Sequence, residues 1–448
     1  MSLNRRGLMA ATAGLGLLGA ARADAKIHST PTGALLAPTP PMGWNSWDSF
    51  ATTITEAQAL EVAHIMAEKL LPHGYDVFTV DIQWYEGGAT GFEYSAKPVP
   101  EMDGYGRLLP APNRFPSSAG GKGFKPLADQ VHALGLKFGV HLMRGIPRLA
   151  VEKNLPVFGT HLHARDIADT GSICPWNPDM YGVDMTRPGA QAYYDSVFAL
   201  FASWGIDFVK MDDMSRPYDA HAPEIEAAHK AIRASGRPIM LSLSPGETPV
   251  PRADHVAQHA QMWRISDDFW DDWGLLKSQF TRLENWNSHR RPGAWPDADM
   301  LPLGKLRMGQ SDTKFTRDEQ LTLMSLWCMA RSPLIMGGDL RSLDQWTLDL
   351  LTNDEILAIN QHSSNNMPHF LADGWSVWTA DAPQKGGHYL AIFNTADKDG
   401  RFRFDLGRIG LKGAKVRDLW ARQDLGEAQG AVTADVPKHG VKVFGLKA

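Results

Sequence analysis

Aspartates close several short apolar runs in this chain. Val80-Asp81 ends one run, Val209-Lys210-Met211-Asp212-Asp213 a second, Arg264-Ile265-Ser266-Asp267-Asp268 a third and Asp297-Ala298-Asp299 a fourth. Gathering several carboxylates in one desolvated place is costly, because burial and like charge both disfavour the ionised form. A chain that does so is set up for chemistry or for a bound cation. Glycoside hydrolysis needs one carboxylate as nucleophile and one carboxylic acid as proton donor. Metal-assisted hydrolysis needs His and carboxylate ligands in one shell. His141 is available for the second chemistry, but it stands in no H-x-H or H-E-x-x-H motif. The pattern favours a two-carboxylate site with no metal and no cofactor.

The runs that end in these groups are also the elements that must position them. Eight β-like segments can be marked: Met42–Trp47, Val77–Gln83, Lys137–Met143, Phe208–Asp212, Ile239–Ser244, Met262–Asp267, Trp295–Met300 and Leu334–Met336. Helical patterns alternate with them, most clearly over Glu56–Leu71, Phe124–Leu134, Ala190–Trp204 and Ile225–Ala234. In the first of these, Leu60, Val62, Ala63, Met66 and Leu70 recur at helical spacing. The alternation predicts an α/β fold with a parallel sheet. The strand count points to a (β/α)8 TIM barrel over residues 38–362, although a doubly wound open sheet alternates in the same way. In a barrel the C-terminal ends of the strands form the active face, so the acidic strand ends would converge there. The Gly- and Pro-rich connection Trp84–Phe124 is long enough to be read as a functional loop. After Asn360 the runs Ser376–Thr379, Tyr389–Phe393, Arg401–Phe404, Lys415–Asp418 and Val441–Phe444 follow one another without a clear helix. They predict a C-terminal antiparallel β-sandwich domain over 363–448.

Composition narrows the partners. The 448 residues are 43% hydrophobic and 21% charged, with a net charge of −5 and no long run of one sign. Neither nucleic acid nor an anionic membrane is expected as a partner. Residues 1–25 read as a signal peptide: Arg5-Arg6, an apolar stretch from Gly7 to Ala20, then Ala21-Arg22-Ala23. The paired arginines suggest twin-arginine export, with cleavage after Ala23 and a periplasmic or secreted product. Cys174 and Cys328 are the two cysteines, read as buried free thiols.

The motifs carry a resemblance. Pro40-Pro41-Met42-Gly43-Trp44-Asn45-Ser46-Trp47 resembles the opening motif of glycoside hydrolase family 27, the family of α-galactosidases and α-N-acetylgalactosaminidases. Lys210-Met211-Asp212 resembles the family's nucleophile motif. Trp263-Arg264, with Asp268 four residues after the arginine, resembles its acid/base motif. Trp295-Pro296-Asp297-Ala298-Asp299-Met300 is similar to its W-N-D-P-D-M segment, and Ser332-Pro333-Leu334-Ile335-Met336 and Asp354 to Asn360-Gln361 complete the series. The resemblance spans nearly all of the chain after the leader.

It implies a retaining, exo-acting α-glycosidase acting on terminal α-linked galactosyl residues of an oligosaccharide or glycoconjugate. Asp212 would be the nucleophile and Asp268 the acid/base, whose neighbours should raise its pKa. Trp47, Asp81, His141, Lys210, Ser244, Arg264, Asp299 and Met300 would bind the sugar. Lys210 and Arg264 would stand beside Asp212 and Asp268. Of the adjacent pair Asp267 and Asp268, strand alternation admits one to the pocket, and the spacing from Arg264 favours Asp268. Asp213 reads as structural, Asp271 and Asp272 as capping groups, Asp297 as a support for Asp299, and Trp84 as either core or sugar platform.

Three departures from the family pattern bear on the sugar. Galactose-specific members carry two adjacent aspartates after the second strand; here the second is Ile82, leaving Gln83, Glu86 or the long loop to supply a polar contact. Leu243-Ser244-Pro245-Gly246 replaces a Glu–Trp pair, and His141 replaces a tyrosine. An α-N-acetylgalactosaminidase, another α-glycosidase or a β-L-arabinopyranosidase of the same family is the alternative within the chemistry. A non-catalytic sugar binder is the alternative outside it.

Overall fold

The computed structural model describes residues 35–448. The expected leader, residues 1–25, lies outside the described residues. The first eight parallel strands are β1 (Met42–Asn45), β2 (Val77–Val80), β3 (Lys137–Met143), β4 (Phe208–Asp212), β5 (Met240–Leu243), β6 (Met262–Arg264), β7 (Trp295–Asp297) and β8 (Leu334–Met336). They pair in the order β7-β6-β5-β4-β3-β2-β1-β8. Leu301, just past β7, closes the circle with a parallel bridge to Met336, its N–H 2.7 Å from the Ile335 carbonyl. The expected segments start where these strands do, except that the fifth was expected one residue early, at Ile239. Several stop two or three residues short, because the chain turns out of the sheet where the functional side chains begin.

β1, β2, β5, β6, β7 and β8 are buried at every position, as barrel strands must be, with helices on the outer face and packed side chains on the inner one. Gly43 is required at its place in β1, since a Cβ there would collide with the Val77 carbonyl of β2. The main helices are α1 (Glu56–Lys69), α2 (Lys125–Ala133), α3 (Ala190–Trp204), α4 (Tyr218–Ala234), α5 (Ala253–His259), α6 (Trp273–Trp286), α7 (Arg317–Ala330) and α8 (Asp354–His362). α1 begins at a Thr55/Gln58 capping box and buries Ala59, Val62, Ala63 and Met66. α4 starts seven residues before the expected Ile225, because Pro223 inside it masks the helical pattern. Asp272 caps α6 by accepting from the Leu275 N–H. Asp271 is instead buried and paired with Arg307.

The C-terminal antiparallel strands begin at Ser364, after α8: β9 (Ser364–Ala372), β10 (Trp375–Asp381), β11 (Gly387–Asn394), β12 (Gly400–Asp405), β13 (Gly413–Asp418), β14 (Gln423–Gln429), β15 (Ala431–Val436) and β16 (Val441–Lys447). Six form one sheet, in the order β9-β10-β11-β16-β13-β14, and β12 pairs with β15. Their apolar faces enclose Val377, Leu390, Ile392, Phe404, Val416 and Phe444. α7 is buried nearly all round, with the C-terminal sheet against it: the Trp420 indole donates to Ser325 at 2.9 Å and Thr322 to the His439 carbonyl at 2.7 Å. Cys174 and Cys328 are free and buried.

Candidate active site

β3, β4 and β5 bring three side chains to one point. His141 lies opposite Lys210 in the β3–β4 ladder, and the Ser244 N–H continues the β4–β5 ladder onto the Met211 carbonyl. As a result His141 and Ser244 flank Asp212 from both sides. His141 Nε2 lies 2.7 Å from Asp212 Oδ2, and the Ser244 hydroxyl donates to Asp212 Oδ1. Both carboxylate oxygens are thereby held. The His141 ring is fully buried and its carbonyl accepts from the Trp84 indole at 2.7 Å. Trp84 itself is core, ringed by Phe124, Phe201 and Trp204.

Lys210 turns to the Asp81 side of the same pocket. Its ammonium lies 3.0 Å from Asp81 Oδ2, which also accepts from Asn45 at 2.7 Å. Burial alone would raise the Asp81 carboxyl. Lys210, His141, the Ile82 N–H and Asn45 overcome it and hold the group at about 2. Burial would lower the Lys210 ammonium, but Asp81, Asp212 and Asp268 outweigh it and push the group up.

Arg264, on β6, joins the remaining acids. One of its terminal nitrogens lies 2.6 Å from Asp299 Oδ2 and 3.2 Å from Asp268 Oδ1. Asp299 is fixed further by the N–H groups of Phe269 and Met300, both at 2.7 Å, and its own N–H donates to Asp297 at 2.9 Å. It adopts φ +87°, an uncommon value for a residue with a side chain. Burial pushes Asp297 up to about 7, helped by the charge of Asp299. Burial also raises Asp299 to about 6, against the pull of Arg264 and with the push of Asp268. Met300 is buried in a core cluster against which Trp47 packs.

Two groups that sequence reasoning did not single out belong to the site. Asp48, the residue after Trp47, is buried, and its Oδ2 has no hydrogen-bond partner. Burial, then the charges of Asp299, Asp268 and Asp81, hold its carboxyl well above the usual range despite Lys210. Gly337 makes room for it, since a Cβ there would overlap the Asp48 carboxylate. Tyr94 comes from the long loop: burial, then Asp212, Asp81 and Asp268, push its phenol up. Its ring lies parallel to Trp47, with centroids 6.4 Å apart.

A pocket of this kind, with one carboxylate clamped and another carried on an arginine at the mouth of a (β/α)8 barrel, can perform double displacement at a sugar carbon. The comparisons agree. The family described as "Alpha galactosidase A" matches residues 39–187 and 178–362, and the "Alpha galactosidase C-terminal beta sandwich domain" matches 372–446. The chain belongs to glycoside hydrolase family 27. It is 30% identical to an α-galactosidase of Coffea arabica over 91% of this chain and 93% of the relative. It is 28% identical to α-galactosidase A of Cellvibrio japonicus over 92% of each. Among solved structures, the wild-type Abp β-L-arabinopyranosidase of Geobacillus stearothermophilus is 49% identical, with a TM-score of 0.90, covering 92% of this chain and 97% of that one. An Asp-to-Ala variant of that enzyme, in complex with arabinose, matches equally well in fold, at 48% identity.

The chain is therefore an α-glycosidase of family 27, in which a retaining mechanism is general. Asp81 with Lys210, Asp212 with His141 and Ser244, and Arg264 with Asp268 and Asp299 form three hydrogen-bonded groups whose charges act on one another. Ser244 touches Asp212, and Lys210 pairs with Asp81. Asp213 turns away onto Arg144 at 2.7 Å, and Arg144 also holds the buried Glu224. Two of the candidates for replacing the second family aspartate, Gln83 and Glu86, are not free. Gln83 donates to both Asp179 oxygens at 3.2 Å, and Glu86 accepts from the N–H groups of Gly88 and Val99.

Proposed function

We propose that this enzyme removes terminal galacto-configured pyranosyl residues with retention, and that it takes β-L-arabinopyranosides in preference to α-D-galactosides. Asp212 attacks the anomeric carbon while Asp268 protonates the departing oxygen. Asp268 then takes a proton from water, which attacks the glycosyl-enzyme and frees Asp212. Clamping by His141 and Ser244 supports the nucleophile role of Asp212, because it leaves the carboxylate one orientation. Asp81, Lys210, Arg264 and Asp299 supply the charged hydrogen bonds to the ring hydroxyls.

The preference rests on Ile82. β-L-arabinopyranose has the ring stereochemistry of α-D-galactopyranose but lacks the exocyclic CH2OH on C5. A second carboxylate beside Asp81 would reward that hydroxymethyl. Ile82 offers no such reward, is itself buried, and has neighbours Gln83 and Glu86 that are bonded elsewhere. The likeness to the Geobacillus arabinopyranosidase at 49% identity points the same way. The Arg5-Arg6 leader pattern supports a periplasmic or secreted enzyme.

Initial rates on nitrophenyl β-L-arabinopyranoside, α-D-galactoside and α-N-acetylgalactosaminide test this directly. Arabinopyranoside should lead α-galactoside in kcat/KM by about tenfold or more, the scale of one lost polar contact, and Ile82→Asp should narrow or reverse the gap. A wild-type enzyme that favours α-galactoside overturns the preference.

A further inference from the structure

Beside the charged pocket a row of aromatic rings runs from Trp47 through Tyr94 to Trp176. Phe92 meets Trp47 edge-on at 5.2 Å, Tyr94 lies parallel to Trp47, and Trp176 tilts against Tyr94 with centroids 6.0 Å apart. Both segments that carry this row are anchored. Thr52 ties down Gly91 through two hydrogen bonds, at 2.6 and 3.2 Å. The Asp179 carboxylate, three residues past Trp176, accepts from Tyr85 at 2.6 Å and from Asn177 at 3.3 Å. On the far side of the row Trp270 has the Arg307 guanidinium over its ring at 4.7 Å. Trp176 instead leaves 38% of its surface exposed, whereas Trp44, Trp84 and Trp263 are sealed.

An exo-acting enzyme binds its glycone by polar groups deep in the pocket, so the leaving group must lie outward of Asp212 and Asp268. There the available surface is aromatic and held in place. Apolar C–H faces of sugar rings and aryl groups pack on such surfaces, and a fixed platform binds at little ordering cost. We infer that Tyr94 and Trp176 form the leaving-group subsite and bind the ring of an aglycone sugar or aryl group by stacking. This rests on the retaining-glycosidase reading above.

The test compares three substrates with one glycone: the glycosyl fluoride, which has no ring to stack, the nitrophenyl glycoside, and a disaccharide. In Trp176→Ala and Tyr94→Ala, kcat/KM for the two ring-bearing substrates relative to the fluoride should fall about tenfold, a change worth roughly 1.4 kcal/mol, with the disaccharide losing mainly in KM. Tyr94→Phe keeps the ring and should keep the wild-type ratio. Equal losses on all three substrates, or no change in the ratio, overturn the inference. Wild type inert on all three would overturn the glycosidase reading and this inference with it.

Discussion

Asp267 and Asp268, adjacent past the end of β6, are held by different cations. Asp267 pairs with Arg216 at 2.6 Å on the outer surface, with both side chains largely exposed. Asp268 pairs with Arg264 at 3.2 Å, and Arg264 is itself buried against Asp299. Both acids are largely exposed; what separates them is the partner, a buried Arg264 for Asp268 and an exposed Arg216 for Asp267.

That divergence predicts different kinetics for two neighbouring substitutions. Asp267→Asn should leave kcat/KM within about twofold of wild type, since exposed ion pairs contribute little. Asp268→Asn should cut hydrolysis of a poor leaving group by about 10²–10⁴-fold, the usual worth of general acid catalysis. A dinitrophenyl glycoside, whose leaving oxygen needs no proton, should lose far less in the first step. Rates across a leaving-group series measure this. Similar losses for both leaving groups would remove Asp268 from the acid role.

The clamp on Asp212 makes a second prediction. Ser244→Ala removes one of the two protein groups holding the carboxylate while His141 keeps the other. The expected result is a fall in kcat of about tenfold with KM nearly unchanged, because a freer nucleophile spends less time aligned. Asp212→Asn should abolish turnover. A Ser244→Ala effect confined to KM would instead place the serine on the sugar.

Much of this site could be read in the sequence because strand periodicity ties residue number to place. A residue that ends a barrel strand is on the active face whatever the rest of the chain does. That is why Asp81, His141 and Asp212 could be placed on one face, while the site roles of Lys210 and Arg264 came from the family resemblance. Asp48 was missed because it lies on a single helical turn past β1, where no periodicity says which way a side chain points. Tyr94 was missed because its loop follows contacts with Thr52, Trp47 and Trp176 that are distant in the chain. In the C-terminal sheet β14 escaped for another reason: nearly all of Gln423–Gln429 is exposed, so it carries no apolar alternation. β9 escaped because Asn365, Asn366 and Pro368 imitate a loop.

The raised carboxyl of Asp297 predicts how stability responds to pH. Its pKa moves from the ordinary 3.8 when unfolded to about 7 when folded. Between those values the native chain holds a proton that the unfolded chain releases, so this group's contribution falls as pH rises from about 4 to 7. Asp297→Asn stays neutral throughout, and its amide oxygen can still accept the Asp299 N–H. The variant should therefore melt a few degrees above wild type at pH 8, with the gain shrinking toward pH 4. A gain that does not change with pH would mean that Asp297 is not the group responsible.

His439 joins the C-terminal sheet to the barrel and gives the last prediction. Its ring stacks on Trp273 of α6, with centroids 3.8 Å apart and planes within 11°. One ring nitrogen lies 2.8 Å from Glu319 of α7 and the other 2.9 Å from Asp397. Glu319 is nearly buried but has a second attachment, its other oxygen accepting from the Thr316 N–H at 2.8 Å. His439→Ala therefore loses a stacked pair and a half-buried hydrogen bond without stranding a charge outright, about 1–3 kcal/mol in all. The melting temperature should drop by a few degrees, because the pair joins two units that bury a shared face on α7. Turnover of nitrophenyl glycosides should stay near wild type at 25 °C, since no active-site residue touches the ring. An unchanged melt would mean that the junction is carried by its other ties, Arg417 to Glu355 at 2.8 Å and Trp420 to Ser325. A loss of kcat at constant stability would mean that the sheet acts on the site through α6 and α7.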